Sequence, residues 1–196
     1  MCQGMSIPPT MAVGERRRGT YMQEMIDIYD SNKQLTGETM AREGAFLREG
    51  QYMLYVLALI EDARGRFLIT QRSLDKHWAA GWWEVTGGGV RAGETSAQAV
   101  RREVPEEVGL KVTGEVPAPI YSYENVDLER GDNYFVDIYH LHLDFDESDV
   151  RLLDGEAVDF RLASWEEIAG LADQGIFLHY ERLCQALEAE GTYQQA

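Results

Sequence analysis

The longest apolar run, Gln51 to Ile60 (QYMLYVLALI), predicts a strongly apolar strand. Asp62-Ala63-Arg64-Gly65 reads as a turn, and Arg66 to Arg72 as the strand returning from it. A second clear strand is expected over Tyr134 to Leu143. Its period of two sets Phe135, Asp137, Tyr139 and Leu141 against Val136, Ile138, His140 and His142, so the two histidines share a side. Met25 to Met40 reads as a hairpin around the turn-rich Asp30-Ser31-Asn32-Lys33. Shorter strands are expected over Lys111 to Val116, Ile120 to Tyr123 and Ala157 to Ala163. Thr95 or Ser96 can cap a helix that begins with Ala97-Gln98-Ala99-Val100. Ser164-Trp165-Glu166-Glu167 is a capping box opening a short helix to about Ala172. Phe177 to Glu190 carries apolar residues at helical spacing and predicts a closing helix before Gly191. Ser73 to Ala80 and the acidic Asp144 to Asp154 are left as loops.

Composition narrows the class. At 196 residues with 44% hydrophobic content, the chain suits one domain with an added arm. We divide it into a mobile tail over 1–20, a hairpin arm over 21–50 and a catalytic domain over 51–196. The tail carries Arg16-Arg17-Arg18 and is read as solvated. The charge, 18 − 34 = −16, argues against binding to nucleic acid or anionic membranes. An acidic protein that handles phosphates needs local neutralisation, which a divalent cation supplies. Cys2 and Cys184 alone make no disulfide framework or zinc site. With no apolar run of ~20 residues and no signal-peptide core, a cytoplasmic location is expected. A homodimer is left open.

The candidate chemistry lies in Gly88 to Leu110 (GGVRAGETSAQAVRREVPEEVGL). On a helix, Glu103, Glu106 and Glu107 stand at i, i+3 and i+4 and share one face. Three carboxylates on one face repel unless a cation sits among them, and oxygen ligands of this kind suit Mg²⁺ or Mn²⁺. The plainer alternative for such a run is a solvated acidic face. Gly87-Gly88-Gly89 and Gly93 allow tight turns and close approach of backbone to a ligand. His140 and His142 have a spacing that suits a metal, but are read first as a partly buried or surface-facing pair. Pro105, inside the helix, predicts a kink or a loosening around Arg101 to Val104.

Gly88, five residues, Glu94, seven residues, Arg102-Glu103, then Val104, Glu106-Glu107 and Gly109-Leu110 match every fixed position of the Nudix signature. With average residue usage, chance supplies such a match in roughly one chain in ten million. The order of elements resembles the Nudix fold, an α/β mixed sheet between helices. The resemblance implies a Mg²⁺-dependent hydrolase cleaving a diphosphate bond in a nucleoside diphosphate derivative or related organic pyrophosphate. Glu103, Glu106 and Glu107 would ligate the metal together with a carbonyl of Gly87 or Gly88. Arg102, with Glu94, would orient Glu103. A further glutamate beyond the signature often joins such sites. Glu156 matches that placement best, with Asp146, Glu147 and Asp149 in reserve.

The stretch from Asp27 through Thr36-Gly37 and Arg42-Glu43-Gly44 to Tyr52 is similar to a Nudix branch close to isopentenyl-diphosphate isomerases. That family holds a diphosphate with an arginine and a lysine, here matched by Arg72 and Lys76 ahead of Gly81-Trp82-Trp83. Its catalytic cysteine falls at Gly87 or Gly88 and its histidine at Gly89 or Val90, so both side chains are missing. The isomerase, and a non-catalytic nucleotide-sensing module, are therefore the rival readings.

Overall fold

The computed structural model describes residues 23–153 and 156–192. The tail expected over 1–20, with its arginines, lies outside them.

The Gln51–Ile60 run forms β3 (Met53–Glu61) and the returning strand β4 (Phe67–Arg72). The turn between them is closed by Asp62, whose Oδ1 accepts the N–H groups of Arg64 and Arg66, both at 2.9 Å. β3 is the central strand. Along its length runs β8 (Tyr134–His142), parallel to it, from Met53↔Tyr134 to Glu61↔His142. On its other side β6 (Thr86–Gly89) pairs antiparallel through Val56↔Gly88. β4 departs from β3 after the turn and instead pairs with β5 (Trp83–Glu84) and β9 (Ala157–Ala163). β7 (Tyr121–Asn125) closes the β8 edge, completing a seven-stranded mixed sheet.

Period-two alternation explains why β3 is apolar throughout. Leu54, Val56, Ala58 and Ile60 face Ala99, Val100, Val104 and Val108 of helix α1 (Ser96–Val108). Leu57 and Leu59 face the opposite way, where α2 (Trp165–Asp173) contributes Ile168 and α3 (Tyr180–Glu190) contributes Leu183, Ala186 and Leu187. The sheet thus lies between helices, as expected.

The hairpin arm forms its own two-stranded sheet, β1 (Met25–Tyr29) and β2 (Leu35–Ala41). Ile26 and Ile28 pack with Leu47 and Met53, and Tyr29 exchanges backbone hydrogen bonds with Tyr52. Lys33 at its turn ion-pairs with Asp137 of β8.

Two expectations change. Lys111 to Val116 is not a strand. Its carbonyls at Val112 and Gly114 accept the Arg101 guanidinium, and Gly114 adopts φ 75°, which breaks the extended path. The last helix starts at Tyr180, not Phe177. Phe177 bridges to Trp83, with Leu178 N–H bonded to the Trp83 carbonyl at 2.8 Å, so strand pairing outcompetes the first helical turn.

Candidate active site

Helix α1 is fixed at both ends. Thr95 is its cap, accepting the Gln98 N–H at 3.2 Å, while Gln98 Oε1 accepts the Thr95 N–H at 2.8 Å. Gly109 closes the other end at φ 74°. The helix is unbroken across Pro105, which sits one turn from that cap. The apolar face of α1 is held on β3, which aims Glu103 and Glu107 at the glycines of β6.

Those glycines make the contact possible. A Cβ on Gly88 would lie 2.2 Å from Glu103 Oε1, and a Cβ on Gly87 would lie 2.4 Å from the Val56 carbonyl oxygen. Neither position has room for a side chain, so the cysteine of the isomerase pattern could not stand at either without a shift. Gly87 N–H donates to Glu107 Oε2 at 3.1 Å.

Arg102 gathers the other carboxylates. Its Nε and Nη2 donate to the two oxygens of Glu94, each at 2.8 Å. Its Nη1 reaches Glu103 Oε1 at 2.6 Å and Glu106 Oε2 at 3.1 Å, and Nη2 also reaches the Gly89 carbonyl at 2.9 Å. The hydrogen bond to Glu94 raises the Arg102 pKa further. Burial alone would raise that of Glu94, yet hydrogen bonds from Arg102 and the Arg91 N–H hold it below the usual value. Glu103 is raised by burial, against the pull of Arg102. Glu107 is pushed up to about 8 by burial and by the charges of Glu84 and Glu103. Negative charge is therefore concentrated around Glu107 beyond what the arginine offsets. That excess, with oxygen donors throughout, fits a hard divalent cation.

These groups open onto one cleft of about 1100 Å³, lined by Arg72, Lys76, Gly87, Gly88, Glu103, Glu106, Glu107 and Glu156. Arg72 donates to both oxygens of Glu84 at 2.9 and 3.0 Å, and its guanidinium lies 5.4 Å from the Trp78 ring centre. Its Nε is buried without a hydrogen-bond partner. Lys76 and Glu156 form an ion pair at the rim. Asp146, Glu147 and Asp149 belong to an exposed 3-10 turn and do not line the cleft.

Sequence reasoning missed Glu84, Arg42 and Glu24, which also line the cleft. Glu84 directly follows Trp82-Trp83 and precedes Val85, so its signal was a lone charge in an apolar run. Arg42, ion-paired to Glu24 at 2.9 Å and 5.5 Å from the Tyr55 ring centre, arrives on the docked arm and has no local signal.

A second group of side chains is able to hold a metal ion. Glu61, His140 and His142 offer ligand atoms within 4.8 Å of one another, closer together than the signature carboxylates are. It lies at the far end of β3, five residues beyond the Val56↔Gly88 pair, roughly 16 Å at strand rise.

Residues 51–183 match the NUDIX domain model. The chain belongs to the Nudix family. An uncharacterized Nudix hydrolase of Listeria monocytogenes is 33% identical over 155 residues, covering 79% of this chain and 88% of that protein. A Deinococcus radiodurans crystal structure superposes with a TM-score of 0.62 at 20% identity, covering 87% of this chain and all of that one, a likeness of fold alone. The likeness to the isomerase branch is partial. The isopentenyl-diphosphate isomerase of Corynebacterium diphtheriae is 37% identical over 73 residues, 35% of this chain and 40% of the enzyme. The protein is thus a Nudix-fold hydrolase whose general chemistry is cleavage at a diphosphate. No helix among the described residues is long and apolar enough to cross a membrane.

Proposed function

We propose that this protein is a Mg²⁺-dependent hydrolase of a nucleoside diphosphate derivative or a related organic pyrophosphate. The observation that carries the reading is the gathering of Glu103, Glu106 and Glu107 on one cleft wall, with Glu103 and Glu107 against a glycine strand that has no side chains in the way. Glu103, Glu106 and Glu107, with the Gly87 carbonyl, are the residues that would hold Mg²⁺, or Mn²⁺ in its place. When bound, the cation neutralises the diphosphate and acidifies the attacking water. Arg102 keeps Glu103 oriented while its own charge is spread over three glutamates. Gly88 lets the diphosphate approach the backbone. Arg72 and Lys76, both lining the cleft, grip phosphoryl oxygens. Glu156, held beside Lys76 on the cleft rim, is the base we assign to take the proton of the attacking water.

The test is a screen of diphosphate compounds with Mg²⁺, scored for phosphate after added phosphatase, with isopentenyl diphosphate included. Isomerisation needs a proton donor and an acceptor on two carbons, and the glycine cradle leaves no side chain at the cysteine's position. We expect phosphate from at least one diphosphate and no dimethylallyl diphosphate. Appearance of the allylic isomer at a rate proportional to protein would overturn the assignment.

A further inference from the structure

The group at the far end of β3 and β8 has no part in the chemistry above. Glu61 and His142 are register partners, and His140 lies two residues before His142, so all three side chains leave the same face of the sheet. His140 is buried, with 2% of its side chain exposed, whereas His142 is 66% exposed. Their ring centres are 4.2 Å apart. Glu190, the last residue of α3, reaches the same place.

The hydrogen-bond geometry of His140 is unusual. Its Nδ1 lies 2.7 Å from Glu190 Oε2, and its Nε2 lies 2.7 Å from Glu61 Oε2. A neutral imidazole has one N–H. Either the ring carries both protons and donates to both carboxylates, or one nitrogen is bare and its lone pair meets a carboxylate oxygen that a cation has to bridge. A second proton would satisfy those two contacts alone. It would not explain why a second ring nitrogen, His142 Nδ1, is turned to the same Glu61 oxygen at 3.4 Å. Two atoms bound at ~2.1 Å to one tetrahedral Zn²⁺ lie about 3.4 Å apart. The His142–Glu61 separation already has that value, and the His140–Glu61 contact reaches it by opening within the reach of a glutamate side chain. A carboxylate behind the ligating ring is the usual companion of a metal-bound histidine, because it fixes which nitrogen is free to bind.

We propose that His140 Nε2, His142 Nδ1 and Glu61 Oε2 form a binding site for a transition-metal dication of the Zn²⁺ class, with Glu190 as the positioning residue for His140. Two imidazoles favour such an ion over Mg²⁺, which prefers oxygen donors and keeps its waters. The fourth position opens to solvent on the exposed side of His142. The bound ion would join the ends of β3 and β8 and, through Glu190, the end of α3. The proposal stands independently of the hydrolase reading.

The experiment uses the tag-free full chain, stripped with a chelator and returned to saturating Mg²⁺ so that the signature carboxylates are occupied. Zn²⁺ is titrated calorimetrically, and Co²⁺ serves as a visible-absorption probe of coordination. We expect one Zn²⁺ per chain, an intense four-coordinate Co²⁺ spectrum, and loss of both in His142→Ala, whose exposed side chain can be removed without opening the core. Glu190→Gln should weaken Zn²⁺ binding by at least ~10-fold, and Mg²⁺-dependent turnover should be unchanged in His142→Ala. Absence of Zn²⁺ binding in Mg²⁺, or binding that His142→Ala leaves unaltered, overturns the proposal.

Discussion

Glu103 Oε1 occupies the space that a Cβ on Gly88 would need, 2.2 Å from its ideal position. The neighbouring Gly87 is closed in a different way, by the Val56 carbonyl oxygen at 2.4 Å and the Leu57 side chain at 2.7 Å. One glycine is hemmed in by the end of a flexible side chain, the other by backbone.

The two alanine variants should therefore separate. Gly88→Ala displaces the Glu103 carboxylate and is expected to lower turnover by ~10²-fold or more while costing little stability. Gly87→Ala drives into β3 and is expected to cost about 1–3 kcal/mol in urea unfolding. Equal stability losses in the two variants would show that the strand, not the carboxylate, yields at Gly88.

Pro105 removes one hydrogen bond from α1 and crowds the turn before it, typically at a cost of ~3 kcal/mol against alanine. The cap at Gly109 and the packed Val104 and Val108 hold the helix continuous in spite of it. Pro105→Ala should raise the melting temperature by several degrees with activity retained. A lower melting temperature would show that the proline's rigidity, by restricting the unfolded chain, outweighs the lost bond.

Much of this arrangement was legible in the sequence because it is local. The cap of α1, the capping box of α2, the apolar β3 and the glutamates at helical spacing depend only on near neighbours. What could not be read depends on contacts distant in sequence. Arg42 enters the cleft only because the arm docks on β3, Phe177 leaves the helix only because Trp83 offers a strand edge, and Lys111–Val116 stays irregular because Arg101 claims its carbonyls. The alternation of Tyr134–His142 placed the two histidines together but could not reveal Glu61 and Glu190 beside them.

The raised pKa of Glu107 makes metal-free stability depend on pH. Its ordinary value is 4.5 and its folded value about 8, with burial and the charges of Glu84 and Glu103 as causes. Between those values the folded protein keeps a proton that the unfolded chain has released. The stabilisation is complete below pH 4.5 and is lost as pH rises through 8. Metal-free protein should therefore melt at falling temperature across that interval relative to Glu107→Gln, with the variant ahead by about 3 °C or more at the alkaline end. Added Mg²⁺ should reverse the wild-type decline, because it binds the deprotonated carboxylate. Parallel melting curves for the two proteins, without and with Mg²⁺, would remove Glu107 from the linkage.

If the glutamates of α1 hold the cation on which diphosphate cleavage depends, Glu107→Gln should disable the enzyme. The substitution keeps the size of the side chain and a carbonyl oxygen to accept the Gly87 N–H, and it removes one charge from a crowded site. Steady-state turnover of the best diphosphate substrate should be measured in saturating Mg²⁺ for wild type and variant, both verified as folded by circular dichroism. Turnover of the variant should fall by at least ~10²-fold. Near-wild-type turnover in the folded variant would contradict that role for the glutamates.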